Sequence, residues 1–239
     1  MNDTVDKENL TPNDTQFSFT KQESRHIAKV LRKQIGDTLQ LTNGKGEVFT
    51  ATLQSNDPKH CVVHIINVEQ KKPLPYSLHL AISPTKLNDR FEWFLEKATE
   101  IGITQITPIL CHHSERKVIK PERYQKIILS AGKQSLKYHF PVLHPMCSLK
   151  DFLEKQEDVP HQKLIAHCQD LEKKSLKSQI KPKGNHIILV GPEGDFSATE
   201  ITLATSMGYT GVSLGENRLR TETAAIVACH SVAYSNEAQ

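Results

Sequence analysis

Residues 187–196 read Ile-Ile-Leu-Val-Gly-Pro-Glu-Gly-Asp-Phe, and the organisation of the chain is clearest here. The four apolar residues are typical of a buried strand. Two glycines in the next four positions let the backbone approach a ligand closely. Ser197 and Glu200 follow with the spacing of a helix capping box. Strand, glycine loop and helix in this order predict one unit of an α/β sheet, in which ligands bind at such loops.

Taken alone, the loop over residues 191–196 has two interpretations. It is either a tight turn between a strand and a helix or a loop that binds a ligand. It contains neither Gly-Lys-Ser/Thr nor G-x-G-x-x-G, so a P-loop or a Rossmann dinucleotide site is not indicated. Glu193 and Asp195 also suit a bound phosphate poorly.

A second loop of the same kind covers residues 214–220, which read Leu-Gly-Glu-Asn-Arg-Leu-Arg between a predicted strand and a predicted helix. Arg218 and Arg220 stand at the mouth of that helix. There they would assist the helix N-terminus in holding an anion or an electron-rich base. The alternative is a surface ion pair with Glu216 or Glu222.

The rest of the carboxyl-terminal part alternates strand and helix patterns, which predicts a mostly parallel sheet covered on both faces. Trp93 lies beside Phe94 on an apolar helix face and is predicted to be core, rather than a platform for stacked bases. The predicted strands cover residues 78–82, 106–110, 164–166, 186–190 and 211–214. The predicted helices cover residues 91–101, 122–136, 197–207 and 221–234.

The amino-terminal part has a different pattern, that of a small β-rich domain. Thr20 and Glu23 form a capping box, and Ile27, Val30 and Leu31 share one face of the short helix that follows. Three β-branched strands are predicted next, with Asn43-Gly44 supplying a hairpin turn. Prolines and lysines at residues 70–75 predict a linker. Residues 1–15 are predicted to be poorly ordered. The three strands are predicted over residues 38–41, 48–53 and 61–68.

Composition and charge restrict the class of protein. The 239 residues are 37% hydrophobic with a net charge of +3, which is ordinary for a folded protein. No apolar run is long enough to span a bilayer, and a signal peptide pattern is lacking, so a cytoplasmic location without membrane attachment is expected. The five cysteines show no paired spacing, so neither a disulfide framework nor a metal site is indicated. Basic stripes at residues 20–33 and 111–144 are suited to polyanions.

The two loops together resemble the RsmE family of 16S ribosomal RNA uridine methyltransferases, within the SPOUT superfamily. The resemblance extends over nearly the whole chain. Its main signatures are Leu189-Val190-Gly191-Pro192-Glu193-Gly194, and Leu214-Gly215 followed by Leu219-Arg220-Thr221-Glu222-Thr223-Ala224. Further matches are His26, Val30-Leu31-Arg32, Asn43-Gly44, Lys86, Glu96-Lys97, Glu100-Ile101-Gly102, Thr107-Pro108 and Gln134-Ser135.

This resemblance implies the fold and the activity. Residues 1–72 would form a PUA-like β-barrel for RNA binding, and residues 76–239 a SPOUT-type α/β-knot domain that binds S-adenosyl-L-methionine and forms a homodimer. The reaction would convert a uridine of small-subunit ribosomal RNA to 3-methyluridine. A knot is a rare topology that periodicity does not indicate, so only the resemblance implies it.

The resemblance and the chemistry of the reaction also suggest roles for individual residues. A cation near the uridine would stabilise the anion formed when its imino nitrogen loses a proton, and Arg220 is expected in that role. Glu222 would accept the proton or orient Arg220; alternatively, it is only a favourable charge in the first turn of a helix. The expected cofactor-binding residues are Val190, Gly191, Pro192, Glu193, Gly194, Leu214, Gly215, Leu219, Arg220, Thr221, Thr223 and Ala224. The expected RNA-binding residues are Arg25, His26, Arg32, Lys86, Arg90, Lys133 and Gln134.

Two segments depart from the family pattern. Residues 133–137 read Lys-Gln-Ser-Leu-Lys where many relatives carry Glu-Gln-Ser-Gly-Arg, and Asp195 replaces a further glycine. Two other functions also stay open. One is an RNA-binding ribosome-assembly protein that keeps the fold without methyl transfer. The other is a methyltransferase of the same superfamily that acts on another RNA.

Overall fold

The computed structural model describes residues 10–237 and divides the chain into two compact units. The first unit comprises the chain up to Pro73 together with Gly132–Phe140; the second comprises Leu74–Ala131 and the chain from Pro141 onward. The sequence prediction gave residues 132–140 to the 76–239 domain. They belong to the first unit because their backbone bonds to the turn after its second strand: Gly46 N donates to Tyr138 O at 2.8 Å, and Phe140 N donates to Gly44 O at 2.8 Å.

The first unit contains a four-stranded antiparallel sheet in the order β1-β4-β3-β2. Alternate residues of the strands, among them Leu39, Leu41 and Val63, are buried in one core with Ile27. The three predicted strands are confirmed, and a short strand that was not predicted precedes them. The strands are β1 (Gln16–Ser18), β2 (Thr38–Thr42), β3 (Glu47–Asp57) and β4 (His60–Gln70).

The predicted helix of the first unit is present, but it changes from an α-helix to a π-helix partway along. Thr20 and Glu23 form the expected capping box at the start of α1 (Lys21–Arg25), which continues as a π-helical turn over His26–Val30. Ile27 is buried, whereas Val30 is 65% exposed. The prediction for Val30 was therefore wrong, because a π-helical turn holds more residues than an α-helical turn and rotates Val30 out of the apolar face.

The predicted lack of order at residues 1–15 falls partly outside the described residues, since residues 1–9 are not among them. Within the described part, Leu10 is 2% exposed in the core of the first unit. Its carbonyl accepts a hydrogen bond from Asn43 Nδ2 at 3.3 Å. Leu10 thus belongs to the packed structure, contrary to the expectation for this segment.

The second unit is built on an eight-stranded sheet whose main order is β10-β12-β9-β11-β5-β6-β7, with β8 paired to β6. Every strand pair of this sheet is parallel, so the predicted α/β class is confirmed. The strands are β5 (Ser77–Ile82), β6 (Gln105–Leu110), β7 (Val142–Leu143), β8 (Cys147–Ser148), β9 (Gln162–Ala166), β10 (Lys174–Ser175), β11 (Asn185–Val190) and β12 (Thr210–Ser213). The helices are α2 (Asn88–Ile101), α3 (Pro121–Gln134), α4 (Leu149–Lys155), α5 (Leu176–Gln179), α6 (Ala198–Ser206) and α7 (Thr221–Tyr234).

Strand β11, the apolar stretch from which the sequence analysis started, lies at the centre of this sheet. It pairs with β5 on one side and with β9 on the other. Ile188 and Val190 pack into the core on one face, and Ile187 and Leu189 pack into the core on the opposite face. A strand buried on both faces must be apolar throughout, which explains its unbroken run. Since β9, β11 and β12 are parallel, the loops that follow them meet at one edge.

Helix α2 matches the predicted position, and Phe91, Phe94 and Leu95 are buried as expected. Trp93 is 45% exposed, so the prediction that it belongs to the core was wrong. It stands next to Phe94 in the chain, but consecutive helical residues point about 100° apart. No helix of the described residues is long and apolar enough to cross a bilayer.

Candidate functional site

Two neighbouring cavities open at the carboxyl ends of β9, β11 and β12, where the sequence analysis predicted a ligand site. Each has a volume of about 340 Å³. Their shared wall consists of Ala166, Cys168, Arg218, Leu219 and Ala224. The first cavity is otherwise lined by Val190, Gly191, Pro192, Glu193, Asp195, Arg220 and Thr221. The second is otherwise lined by His167, Lys173, Val212, Ser213, Leu214, Gly215, Glu216 and Asn217.

The loop after β11 forms one side of the first cavity and depends on close packing at its glycines. A Cβ on Gly191 would lie 3.0 Å from the ring of Phe196, and a Cβ on Gly194 would lie 2.9 Å from Cβ of His113. The Gly191 carbonyl accepts a hydrogen bond from Thr221 Oγ1 at 3.1 Å. This bond ties the glycine loop to the first residue of α7. The lack of a side chain at Gly191 thus allows the packing of Phe196, while its carbonyl makes the junction with α7.

Arg220 stands at the start of α7, on the wall of the first cavity. It is the N-cap residue of α7, its backbone is extended, and its side chain makes no capping hydrogen bond. Its side chain is exposed and contributes to the wall of the first cavity. No described carboxylate lies within ion-pair distance of Arg220, so the alternative of a surface ion pair with Glu216 or Glu222 is not seen.

Glu222 is adjacent in sequence to the cavity wall but faces another direction. The residue is 7% exposed and lines neither cavity. Its Oε1 lies 3.7 Å from Nε of Arg90 on α2. Its Oε2 is closed to solvent and has no hydrogen-bond partner among the described residues. Glu222 is thus near Arg90, which the sequence analysis had assigned to RNA.

Most of the expected cofactor-binding residues lie on the two cavities, but two do not. Gly194 and Thr223 lie outside the walls of both cavities. The sequence analysis missed the contribution of Ala166 at the end of β9 and of the loop that follows, with His167, Cys168 and Lys173. This loop carries no glycine or arginine pattern; the available signal was only its place after a predicted strand.

The expected RNA-binding residues belong to both units. In the first unit Arg25, His26, Arg32 and Gln134 are exposed, and Lys133 is half-buried. In the second unit Lys86 is exposed, and its ammonium lies 2.8 Å from Glu115 Oε2. Arg90 is half-buried beside Glu222. Among the described residues no group of three or more His, Cys, Asp or Glu side chains could hold a metal ion.

Comparisons with known proteins place this geometry in a family. Residues 72–233 match the model of an RNA methyltransferase domain, and residues 19–66 match that of an RNA methyltransferase PUA domain. The ribosomal RNA small subunit methyltransferase E of Rickettsia conorii is 31% identical over 211 residues, which is 87% of this chain and 84% of that protein.

Two solved structures are similar over almost the whole chain. The structure of a probable rRNA-methyltransferase from Porphyromonas gingivalis is 40% identical with a TM-score of 0.84, covering 91% of this chain and 93% of that chain. The ribosomal RNA small subunit methyltransferase E from Neisseria gonorrhoeae, bound to S-adenosyl methionine, is 25% identical with a TM-score of 0.84. The match covers 97% of this chain and 96% of that chain. This protein belongs to the RNA methyltransferase family whose curated relatives are ribosomal RNA small subunit methyltransferases E, as its two loop motifs had predicted.

Proposed function

We propose that the protein transfers a methyl group from S-adenosylmethionine to the imino nitrogen, position 3, of a uridine in 16S ribosomal RNA. The observation that carries this proposal is the pair of cavities at the carboxyl ends of β9, β11 and β12, with Arg220, which pairs with no described carboxylate, on the wall of the first. Its membership of an RNA methyltransferase family supports the reaction class. An RNA-binding assembly protein without catalysis would not require these cavities.

The residues of the cavities fit the cofactor. Each cavity falls in the usual size range of small-molecule sites, and small apolar side chains such as Ala166, Val190 and Ala224 supply a slot for adenosine and methionine. Glu193, Arg218 and backbone groups of the glycine loop supply the few polar contacts that orient a ligand. The sulfonium of the cofactor supplies an already activated methyl group, so the protein mainly has to align the acceptor nitrogen.

Arg220 acts on the nucleophile in this mechanism. The uridine nitrogen loses its proton to water, forms a bond to the methyl carbon as the carbon–sulfur bond breaks, and leaves the sulfur as a neutral thioether. The guanidinium of Arg220 stabilises the negative charge that spreads over the two flanking carbonyls. Glu222 lines neither cavity, and its Oε1 lies 3.7 Å from Nε of Arg90, so in this proposal it pairs α7 with α2 and does not take the proton.

RNA binding is assigned to the basic residues of the first unit, with Lys133 and Gln134 at the end of α3. Charge reversal of both Arg25 and Arg32 should weaken binding to 16S ribosomal RNA by about tenfold or more and reduce the salt slope by about two, because each neutralises a phosphate. The affinity for S-adenosylmethionine should not change. The same double reversal at Lys59 and Lys72, exposed outside the basic stripe, is the control. Equal losses in both variants, measured by filter binding over a salt series, would contradict the assignment.

A homodimer is part of the proposal, supported by helix α7. After Glu222 this helix carries no Asp, Glu, Lys or Arg, yet Tyr234 is 63% exposed and Ile226 and Val227 are only half-buried. Exposed apolar side chains on an uncharged stretch of helix are better placed in a buried position, and a second copy would provide one. Val227→Glu with Tyr234→Glu should give monomers by light scattering. The control variant, Thr199→Glu with Thr202→Glu on α6, should leave the dimer intact. If the wild-type protein is a monomer, the proposed dimer is wrong.

The proposal includes two further features of the family, a trefoil knot in the second unit and a cytoplasmic location. Family membership supports the knot, and β11 lies between β5 and β9, which precede it in the chain. The proposed substrate supports the cytoplasmic location, because ribosomal RNA is modified where ribosomes are assembled.

The test of the function has two steps. Calorimetric titration with S-adenosylmethionine, and separately with its demethylated product, should show binding of both. Methyl transfer to small ribosomal subunits lacking the modification should then yield 3-methyluridine on nucleoside analysis. No binding by folded protein would favour the assembly protein. A different methylated nucleoside, or transfer only to another RNA, would favour the second alternative.

A further inference from the structure

Asp195 ends the loop after β11 in a conformation that is unusual for its residue type. Its φ is +63°, in the left-handed region that favours glycine. Aspartate tolerates this region better than most residues but still at a cost in conformational energy. Its N–H donates to the Pro192 carbonyl at 2.9 Å, which closes the turn. Because the conformation costs energy, its side chain is expected to make contacts that compensate.

The contacts of Asp195 join three loops of the second unit. Its Oδ2 accepts a hydrogen bond from the backbone N–H of Cys168, in the loop after β9, at 2.9 Å. Its carbonyl accepts one from Nδ1 of His113, in the loop after β6, at 3.0 Å. A hydrogen bond to a carboxylate is stronger than one between neutral groups. The bond to Cys168 is therefore the stronger of two side-chain links between the loops after β9 and β11; the other runs from Gln169 Nε2 to the Phe196 carbonyl at 3.1 Å.

The loop that Asp195 holds is part of the wall between the two cavities. Cys168 lines both of them, and Asp195 itself lines the first. Strands β9 and β11 are directly paired, with Val190 opposite Ala166, so the two loops leave the sheet side by side. The position of Cys168 relative to the glycine loop thus sets the shape of the shared wall.

We infer that Asp195 is a positioning residue that holds the loop after β9 against the loop after β11 and so preorganises the cofactor pocket. The identity of the ligand rests on the proposed function; the link between the loops does not. A preorganised wall raises affinity because the loop is already ordered before the ligand binds. The part played by the carboxylate is to accept the Cys168 N–H, not to place a negative charge against the ligand.

Two substitutions distinguish this positioning role from an effect of the negative charge and from an effect of backbone conformation. Asp195→Asn keeps an acceptor oxygen and a residue that tolerates positive φ, but removes the charge. Asp195→Gly removes the acceptor and relieves the backbone cost. Calorimetry should give a Kd for S-adenosylmethionine about tenfold weaker for Asp195→Gly, and within about threefold of wild type for Asp195→Asn. Circular dichroism and the unfolding temperature verify that both variants fold.

A second readout needs no ligand. Cys168 is exposed, whereas Cys61, Cys111 and Cys229 are buried and Cys147 is half-buried. Alkylation of Cys168 by iodoacetamide, followed by peptide mass spectrometry, therefore reports the mobility of the loop after β9. The rate should rise severalfold in Asp195→Gly and stay near the wild-type rate in Asp195→Asn.

The outcomes are distinct. Wild-type values for Asp195→Gly in both experiments would overturn the inference, because the hydrogen bond from Cys168 would then not fix the loop after β9. Equal changes in Asp195→Asn and Asp195→Gly would also overturn it, because charge rather than the hydrogen bond would be responsible. If wild-type protein does not bind S-adenosylmethionine, the proposed function fails, and the alkylation rates still decide whether Asp195 holds the loop.

Discussion

Arg220→Ala should lower the kcat of methyl transfer by about 10²-fold or more, because it removes the cation that stabilises the developing uridine anion. The fold should be unaffected, since the side chain is exposed and makes no capping hydrogen bond with α7. KM for RNA should change much less than kcat. Single-turnover transfer of a radiolabelled methyl group to unmodified small subunits measures the effect.

Arg218 supplies the matched control for this prediction. It is exposed on the same wall but on the side shared by both cavities, and Arg218→Ala should affect cofactor Kd more than kcat. Arg220→Lys should recover part of the lost rate, because a charge is restored without the planar guanidinium. Wild-type kcat in Arg220→Ala would remove this residue from the mechanism.

The free energy of unfolding of the second unit should fall steeply as the pH drops below about 6.5, because several of its histidines are buried as neutral rings. Burial, together with the nearby rings of His144 and His161, lowers the pKa of His79 to about 3. Burial also lowers the pKa of His144, His161 and His186. In the unfolded chain these rings take up protons near pH 6.5.

The direction in which the free energy of unfolding changes with pH follows from proton uptake by the unfolded chain. Between pH 6.5 and about 3 the unfolded chain binds a proton at His79 that the folded chain excludes, so acid favours unfolding over that window. A fully linked buried histidine such as His79 contributes about 1.4 kcal/mol per pH unit in this window. Above pH 6.5 the ring is neutral in both states, and this contribution to the pH dependence vanishes.

Urea unfolding at pH 5 and pH 7, followed by the fluorescence of the single Trp93, measures this dependence. His79→Asn should reduce the pH slope by about one proton, although it also disturbs the hydrogen bond of 2.7 Å between His79 Nε2 and Thr107 Oγ1. His230→Gln is the control, because His230 is exposed on α7. An unchanged slope in His79→Asn would show that His79 is not the group responsible.

Long periodic patterns and capping signals predicted the main elements correctly. The strands β5, β6, β9, β11 and β12 and the helices α2, α3, α6 and α7 all lie where the sequence indicated. The misses are β7, β8 and β10, of two residues each, and the short elements β1, α4 and α5. Two-residue strands carry no periodicity and exist because a neighbouring strand offers hydrogen bonds.

The two departures from the family pattern illustrate a limit of local reasoning. The family resemblance implies that Leu136 and Asp195 stand where many relatives carry glycine. The structure adds that both have positive φ, +55° and +63°. Both residues therefore adopt a backbone conformation that favours glycine, at a cost in conformational energy. Local sequence could not show that Asp195 compensates by binding the N–H of Cys168.

The amino-acid sequence alone was sufficient to identify the α/β class, the two loops that could bind a ligand, and the arginine at the helix mouth. These features depend on strand period, glycine and capping residues, each of which acts over only a few positions. Tertiary packing decided which distant residues meet. The loop after β9 joins the site only because β9 pairs with β11. Arg90 lies beside Glu222 only because α2 and α7 pack together. Such contacts depend on the order of strands in the sheet, which no local pattern encodes.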